Sequence, residues 1–180
     1  MTLGETFDPA KHRMCEPSWF EDLSVGQEFY INSRTQTDGL FSAFQLASGD
    51  NHPIHYDVEY CKRHGHRGLL AHGLQVMAQT AAGAGIFPHV IGESLIGFIE
   101  ASAKFLAPVY AGDTLYPMLT ISELRPGRTT GVVVCRATVH NQDGVQVLEG
   151  SHSYLVKKRQ PDPKPASAAV AATATAEEAP

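Results

Sequence analysis

The sequence predicts an α+β domain in which a curved antiparallel sheet wraps a long central helix. Three observations carry this. From about Ala71 to Phe87 the chain is apolar on most sides at helical spacing, with Leu70, Leu74, Met77, Ala78, Ala81 and Gly85 in register. Four strand-like runs follow, separated by turns rich in Gly and Pro. One strand and two short helices precede it, which together make a sheet with helices on one side.

The 180 residues and 43% hydrophobic content suit one globular domain with a sizeable core. Its expected limits are Ser18 and Arg159, with an N-terminal extension over 1–17 and a Pro/Ala-rich tail over 160–180. That tail has too little bulky apolar surface to offset the entropy of ordering it, and is expected to be disordered. A net charge of -5 without any Lys/Arg run argues against nucleic acid and against an anionic membrane surface as partners. No apolar run has the length of a bilayer span, and Met1 to Cys15 lacks the apolar stretch of a secretory signal. Cys15, Cys61 and Cys135 are odd in number and unrelated in spacing, so a reducing, cytoplasmic compartment is expected.

In order, Gly26 opens a first strand reaching about Thr37, and Asp38 stands where an N-cap would, ahead of Leu40, Phe41 and Phe44. Asp57 can cap a second short helix that Gly65 stops. The long apolar helix closes at Pro88. Strands are expected over 95–108, 114–124, 129–141 and 145–158. The turns Tyr110-Ala-Gly-Asp, Arg125-Pro-Gly-Arg and Asn141-Gln-Asp-Gly would join them as a meander.

Between the two short helices lies Ser48-Gly-Asp-Asn-His-Pro-Ile-His-Tyr-Asp, which places Asp50 and His55 on either side of Pro53. Proline fixes its own φ and pushes His52 toward an extended conformation, so the segment is a rigid loop. Such a loop can hold a carboxylate and an imidazole at a fixed separation, as acid–base chemistry requires; a structured polar turn has much the same composition. Cys61, His64, His66 and His72 lack the compact paired spacing of a zinc site, and no metal is expected. With Arg63 and Arg67, His64 and His66 read as a solvated basic rim.

Together with His72-Gly73 at the opening of the central helix and Pro108-Val-Tyr-Ala-Gly-Asp-Thr-Leu, this loop resembles the MaoC-like dehydratase family. That family includes the (R)-specific enoyl-CoA hydratases and has the hotdog fold. The resemblance covers roughly 18–158. The family's Asp-x-Asn-Pro-x-His pattern is matched at Asp50, Pro53 and His55; His52 stands where the family has Asn, and Asn51 is one position early.

The resemblance implies hydration of a 2-enoyl thioester, or the reverse, with Asp50 and His55 sharing one water. His55 is expected to take a proton from water and Asp50 to deliver one to the α-carbon. The Gly73 amide is expected to face the thioester oxygen as it becomes enolate-like, with His72 positioning that turn. His52, Asn51 and Pro53 are read as loop support, and Asp113 as a turn residue. No metal or redox cofactor is implied, and CoA or acyl carrier protein is the substrate's carrier. The basic rim would lie near the carrier phosphates, and Phe87-Pro-His-Val-Ile would set acyl selectivity. A homodimer or dimer of dimers is expected, with a thioester tunnel at the interface. The alternatives are a hotdog thioesterase and a non-catalytic partner subunit.

Overall fold

The computed structural model describes residues 7–160. The expected disordered tail, from residue 161 on, and the first six residues of the extension lie outside them. The chain forms β1 (Glu28–Tyr30), β2 (Arg34–Thr35), α1 (Asp38–Ser48), α2 (Val58–Arg63), α3 (Gly73–Ala78), α4 (Phe87–Val90), β3 (Leu95–Phe105), β4 (Thr114–Pro126), β5 (Thr130–His140) and β6 (Gln146–Lys157). The sheet runs β1-β4-β5-β6-β3, all antiparallel, with β2 also on β4. A single antiparallel sheet with few helices is the α+β hotdog arrangement the resemblance implies.

The limits of β3 to β6 fall close to expectation because alternating residues and Gly/Asn turns are local signals. The single strand expected from Gly26 to Thr37 is instead two short ones, β1 and β2, since the chain leaves the ladder after Tyr30, where Ile31 bridges Gly85, and rejoins β4 at Arg34. The connectivity also departs from expectation. β4, β5 and β6 form a meander, but β3 pairs with β6 from Leu95↔Val156 to Phe105↔Leu148 and so becomes the far edge. Tyr110-Ala-Gly-Asp is therefore no hairpin. It ends a crossover from β3, at one edge of the sheet, to β4, which lies inside β1 at the other, held where Tyr110 bridges Leu70 and Ala71 donates to the Val109 carbonyl.

The long central helix is also corrected. The segment is three pieces: six-residue α3, a 3-10 turn at Ala82–Ala84, and four-residue α4. The Thr80 hydroxyl donates to the Met77 carbonyl, and the following amides turn to i−3 acceptors. Gly83 and Gly85 have poor helix propensity. Gly85 instead bridges Ile31, so closely that a Cβ there would stand 3.0 Å from the Ile31 side chain and 3.2 Å from the Tyr30 carbonyl. Pro88 lies in the first turn of α4, where its missing N–H is tolerated, rather than ending a helix. Thr37, not Asp38, caps α1, its hydroxyl accepting from the Leu40 amide.

Two apolar clusters hold the pieces to the sheet. Phe29, Phe87, Ile91, Leu119, Ile121, Val133 and Tyr154 form one, beneath α4. Val76, Val109, Leu115, Val139, Val147 and Leu148 form the other, beneath α3. The second cluster fixes the N-terminus of α3 against the sheet.

Candidate active site

Helix α1 ends at Gly49, whose φ of 73° is left-handed backbone that glycine adopts without Cβ strain. Asp50 follows at once, so a helix stop signal sets where its carboxylate begins. The Ser48 hydroxyl donates to the Phe44 carbonyl and accepts from the Asp50 amide. Asn51 accepts from Gln45 at 2.7 Å and donates to the Gly49 carbonyl. The loop then closes into a 3-10 turn, Pro53–His55, which His52 caps: its Nδ1 accepts from the Ile54 amide at 3.3 Å. That is a task an asparagine carbonyl also performs, so the imidazole at 52 preserves the cap.

His55 Nδ1 lies 2.8 Å from the Leu70 carbonyl. A carbonyl only accepts, so Nδ1 carries the proton and Nε2 presents its lone pair. Nε2 is 3.9 Å from Asp50 Oδ2, the imidazole being mostly covered and the carboxylate about half exposed. Burial pushes the His55 pKa below the ordinary histidine value, and the neighbouring His72 adds to this; the Leu70 carbonyl and Asp50 oppose it. The net effect favours a neutral ring, which is the form a base needs.

His72 is buried and stacks on His55 with ring centroids 3.7 Å apart. As the N-cap of α3 it makes no side-chain cap bond, so the first-turn amides of Gly73, Leu74 and Gln75 have neither an intrahelical acceptor nor a capping side chain. Gly73 is exposed on one side and covered on the other by the Phe105 ring. The structure thus brings Asp50, His55, His72 and Gly73 together, with His52, Asn51 and Pro53 beneath. Beneath the same loop, the Cys61 thiol donates to the Ile54 carbonyl.

Asp50, His55 and His72 offer donor atoms within 4.8 Å of one another, which raises the question of a metal. The set does not fit one. Both His72 ring nitrogens face acceptors, Gln75 Oε1 and the Asp50 carbonyl, and His55 Nδ1 is taken by Leu70. One imidazole nitrogen and an exposed carboxylate remain. Cys61, His64 and His66 form no metal-sized group among the described residues.

The basic rim is only partly available. Arg67 pairs with Asp113 at 2.6 Å and lies over the Tyr110 ring. Lys62 pairs with Glu59, and His64 stacks on Tyr60. Asp113 is a turn residue, accepting from the Tyr110 amide, and also a buried hub for Arg67 and Gln142; the two arginine and glutamine bonds and the Tyr110 amide outweigh desolvation and hold its carboxyl below the usual range.

A cavity of about 410 Å³ opens one residue past Gly73, lined by Leu74, Met77, Ala78, Ala81, Phe98 and Tyr154 among others. Phe87 and Ile91, expected to set acyl selectivity, are instead buried in the core. Sequence reasoning also missed the polar residues under the site, Gln36 and Gln75, whose partners lie far away in the chain.

The model of the MaoC like domain matches residues 22–142, and the chain belongs to this family. A 3-hydroxybutyryl-CoA dehydratase of Methylorubrum extorquens is 29% identical over 150 residues, 81% of this chain and 88% of that protein. An (R)-specific enoyl-CoA hydratase of Rhodospirillum rubrum is 28% identical, covering 78% of this chain and 93% of its own. A solved Archaeoglobus protein described as a monoamine oxidase regulatory protein superposes with a TM-score of 0.76 at 28% identity, over 81% of this chain and 98% of that one.

Proposed function

We propose that this protein is a hydro-lyase interconverting 2-enoyl and (R)-3-hydroxyacyl thioesters, with CoA as the carrier. The observation that carries the reading is the 3.9 Å gap between His55 Nε2 and Asp50 Oδ2, beside the uncapped start of α3. It is too long for a direct hydrogen bond and suits one shared water.

In the hydration direction, His55 Nε2 takes a proton from that water as its oxygen bonds to C3 of the enoyl group. The C2–C3 electron pair moves toward the thioester carbonyl, whose oxygen gains charge against the Gly73 N–H. Asp50, in its acid form, protonates C2. His55 has then gained a proton and Asp50 has lost one, and exchange through solvent restores both. Dehydration reverses each step. The reaction is redox-neutral and needs no redox cofactor, and the proposal includes no metal because the donor set beside Asp50 does not fit one.

The relatives' names support the substrate class, since one is a dehydratase of a 3-hydroxyacyl-CoA and the other an enoyl-CoA hydratase. The apolar cavity beyond Gly73 suits the acyl chain. Its open side adjoins edge strand β3, where Ile96, Phe98, Ile99 and Phe105 are each about half exposed and Leu74 is more so. We assign this edge to a second copy of the chain, which would roof the cavity; a dimer of dimers is compatible. Among the described residues no helix is long and apolar enough to cross a membrane. On its free, dispersed cysteines we place the protein in a reducing, cytoplasmic compartment.

The test is purified protein with crotonyl-CoA, following enoyl absorbance and free thiol together. Loss of absorbance without thiol is expected. Thiol release without loss of absorbance means a thioesterase, and silence in both across several chain lengths means a partner subunit. Asp50→Asn and His55→Ala should each lower kcat/KM by about 10²–10⁴-fold, the scale of a lost general acid or base. Near-normal turnover in either variant would overturn the pair.

A further inference from the structure

We infer that Tyr154, His152 and Thr80 select the acyl chain, so that the cavity beyond Gly73 takes a chain bearing a neutral hydroxyl group toward its far end. The inference rests on the hydratase reading and names the substrate class within it. Its ground is a line of buried polar side chains in a wall that is otherwise apolar.

His152 and Tyr154 stand two apart on β6 and so project from the same face of the sheet. Both line the cavity, with the Phe98 ring of β3 packed against theirs at 5.3 and 5.1 Å. Thr80 follows α3, seven residues past Gly73, which is about 10 Å at the helical rise. His152 and Tyr154 are each 4% exposed, and Thr80 is 0% exposed.

The bonds among them form one line. The Thr80 hydroxyl has a single proton, which the Met77 carbonyl accepts at 2.7 Å, so Thr80 Oγ1 accepts from His152 Nε2 at 3.1 Å. Burial works against the charged form of His152, so its Nδ1 is bare and accepts the Tyr154 phenol proton at 3.0 Å. Every proton of the line is thereby used within it. What remains is the Tyr154 oxygen, an acceptor in a bond whose two residues both line the cavity.

Three kinds of acyl chain meet this end differently. An alkyl chain fills the space and leaves the oxygen unmatched. A hydroxyl donates to it and leaves the line as it stands. A carboxylate only accepts; it would need the line reversed, with the Thr80 proton drawn off the Met77 carbonyl, and among the described residues no lysine or arginine lines the cavity to balance it. The neutral hydroxyl is the group that fits, whereas a wholly apolar pocket would penalise it.

The experiment is calorimetric titration of the full chain with saturated hexanoyl-, octanoyl- and decanoyl-CoA and with their ω-hydroxy and ω-carboxy counterparts, which reads binding without turnover. At the length that reaches Tyr154, the hydroxy thioester should bind at least as tightly as the alkyl one, and the carboxy thioester about tenfold more weakly or worse. Weaker binding of the hydroxy thioester at every length overturns the proposal, as does tighter binding of the carboxy thioester. Tyr154→Phe keeps the ring and removes the oxygen. It should weaken the hydroxy thioester alone by about tenfold, the scale of a buried hydroxyl left without a partner. Thr80→Val, which does not line the cavity, should lessen the same preference by freeing His152; an unchanged preference in both variants means that the three side chains only tie β6 to the end of α3, and overturns their selective role. Turnover of crotonyl-CoA with the hydroxy thioester rejected overturns this inference alone. The expected order of binding without any turnover overturns the hydratase reading and keeps the selectivity of the cavity.

Discussion

At the scale of single residues, the Gly73 amide can be deleted without disturbing the helix it opens. Proline is tolerated at the first helical position, and a following proline requires the extended backbone that His72 has, at φ −63° and ψ 137°. An added Cβ would stand 3.2 Å from the half-exposed Phe105 ring, which must shift slightly, so Gly73→Pro should keep its circular dichroism with at most a small fall in melting temperature while kcat falls by about 10²–10³-fold, the usual loss for one oxyanion donor. His55 supplies a second prediction. Its pKa is lowered, so kcat/KM should stay level as pH falls through the ordinary histidine value of about 6.5 and drop only below it. That Asp50, His55 and Gly73 would stand near one another was anticipated through the family resemblance of the proline-bounded loop and the His-Gly step; the loop composition alone fitted a structured polar turn equally well. Gln36, Gln75 and the second contact of His72 were not anticipated, since nothing in a glutamine's immediate neighbours tells where its amide finds a partner 39 residues away.

At the scale of elements, the strands and α2 follow from their own sequences. Asp57 caps α2 by accepting from the Tyr60 amide, and Gly65 with φ 78° ends it, both as expected. The broken central helix was not legible, because Ala-rich periodicity is the same whether or not a backbone from β1 comes close enough to claim Gly85. The same kind of close approach governs β6. Gly150 pairs with Ala103 of the edge strand, and a methyl group there would run into the Ser102 carbonyl, which is backbone and cannot swing aside. Gly150→Ala should cost about 1–3 kcal/mol, read as a lower denaturation midpoint, and should loosen β3 first.

For the whole molecule, stability should depend on pH through a histidine away from the dyad. His152 is buried under the cavity between Thr80 and Tyr154, and burial lowers its pKa. The unfolded chain therefore binds the proton more readily than the folded one. Its contribution is complete above about 6.5 and is lost as pH falls from there toward the folded value. A melting series between pH 8 and 5 should decline across that window, and His152→Gln should flatten the decline. The expected α+β class holds at this scale, with six strands in place of five because the first expected strand is two; the placing of β3 beside β6 depends on a crossover whose turn residues look like those of any hairpin.

The three cysteines, free and dispersed, give the chain a set of clocks. Cys15 is partly exposed, Cys61 is sealed beneath the loop that carries Asp50 and His55, and Cys135 is sealed within the sheet. A thiol reagent reaches each sulfur only when the structure above it opens. Cys15 should label at once, Cys61 at the rate at which the Pro53 turn lifts, and Cys135 only when the sheet itself comes apart. Comparing the last two rates would separate breathing of the loop from unfolding of the domain.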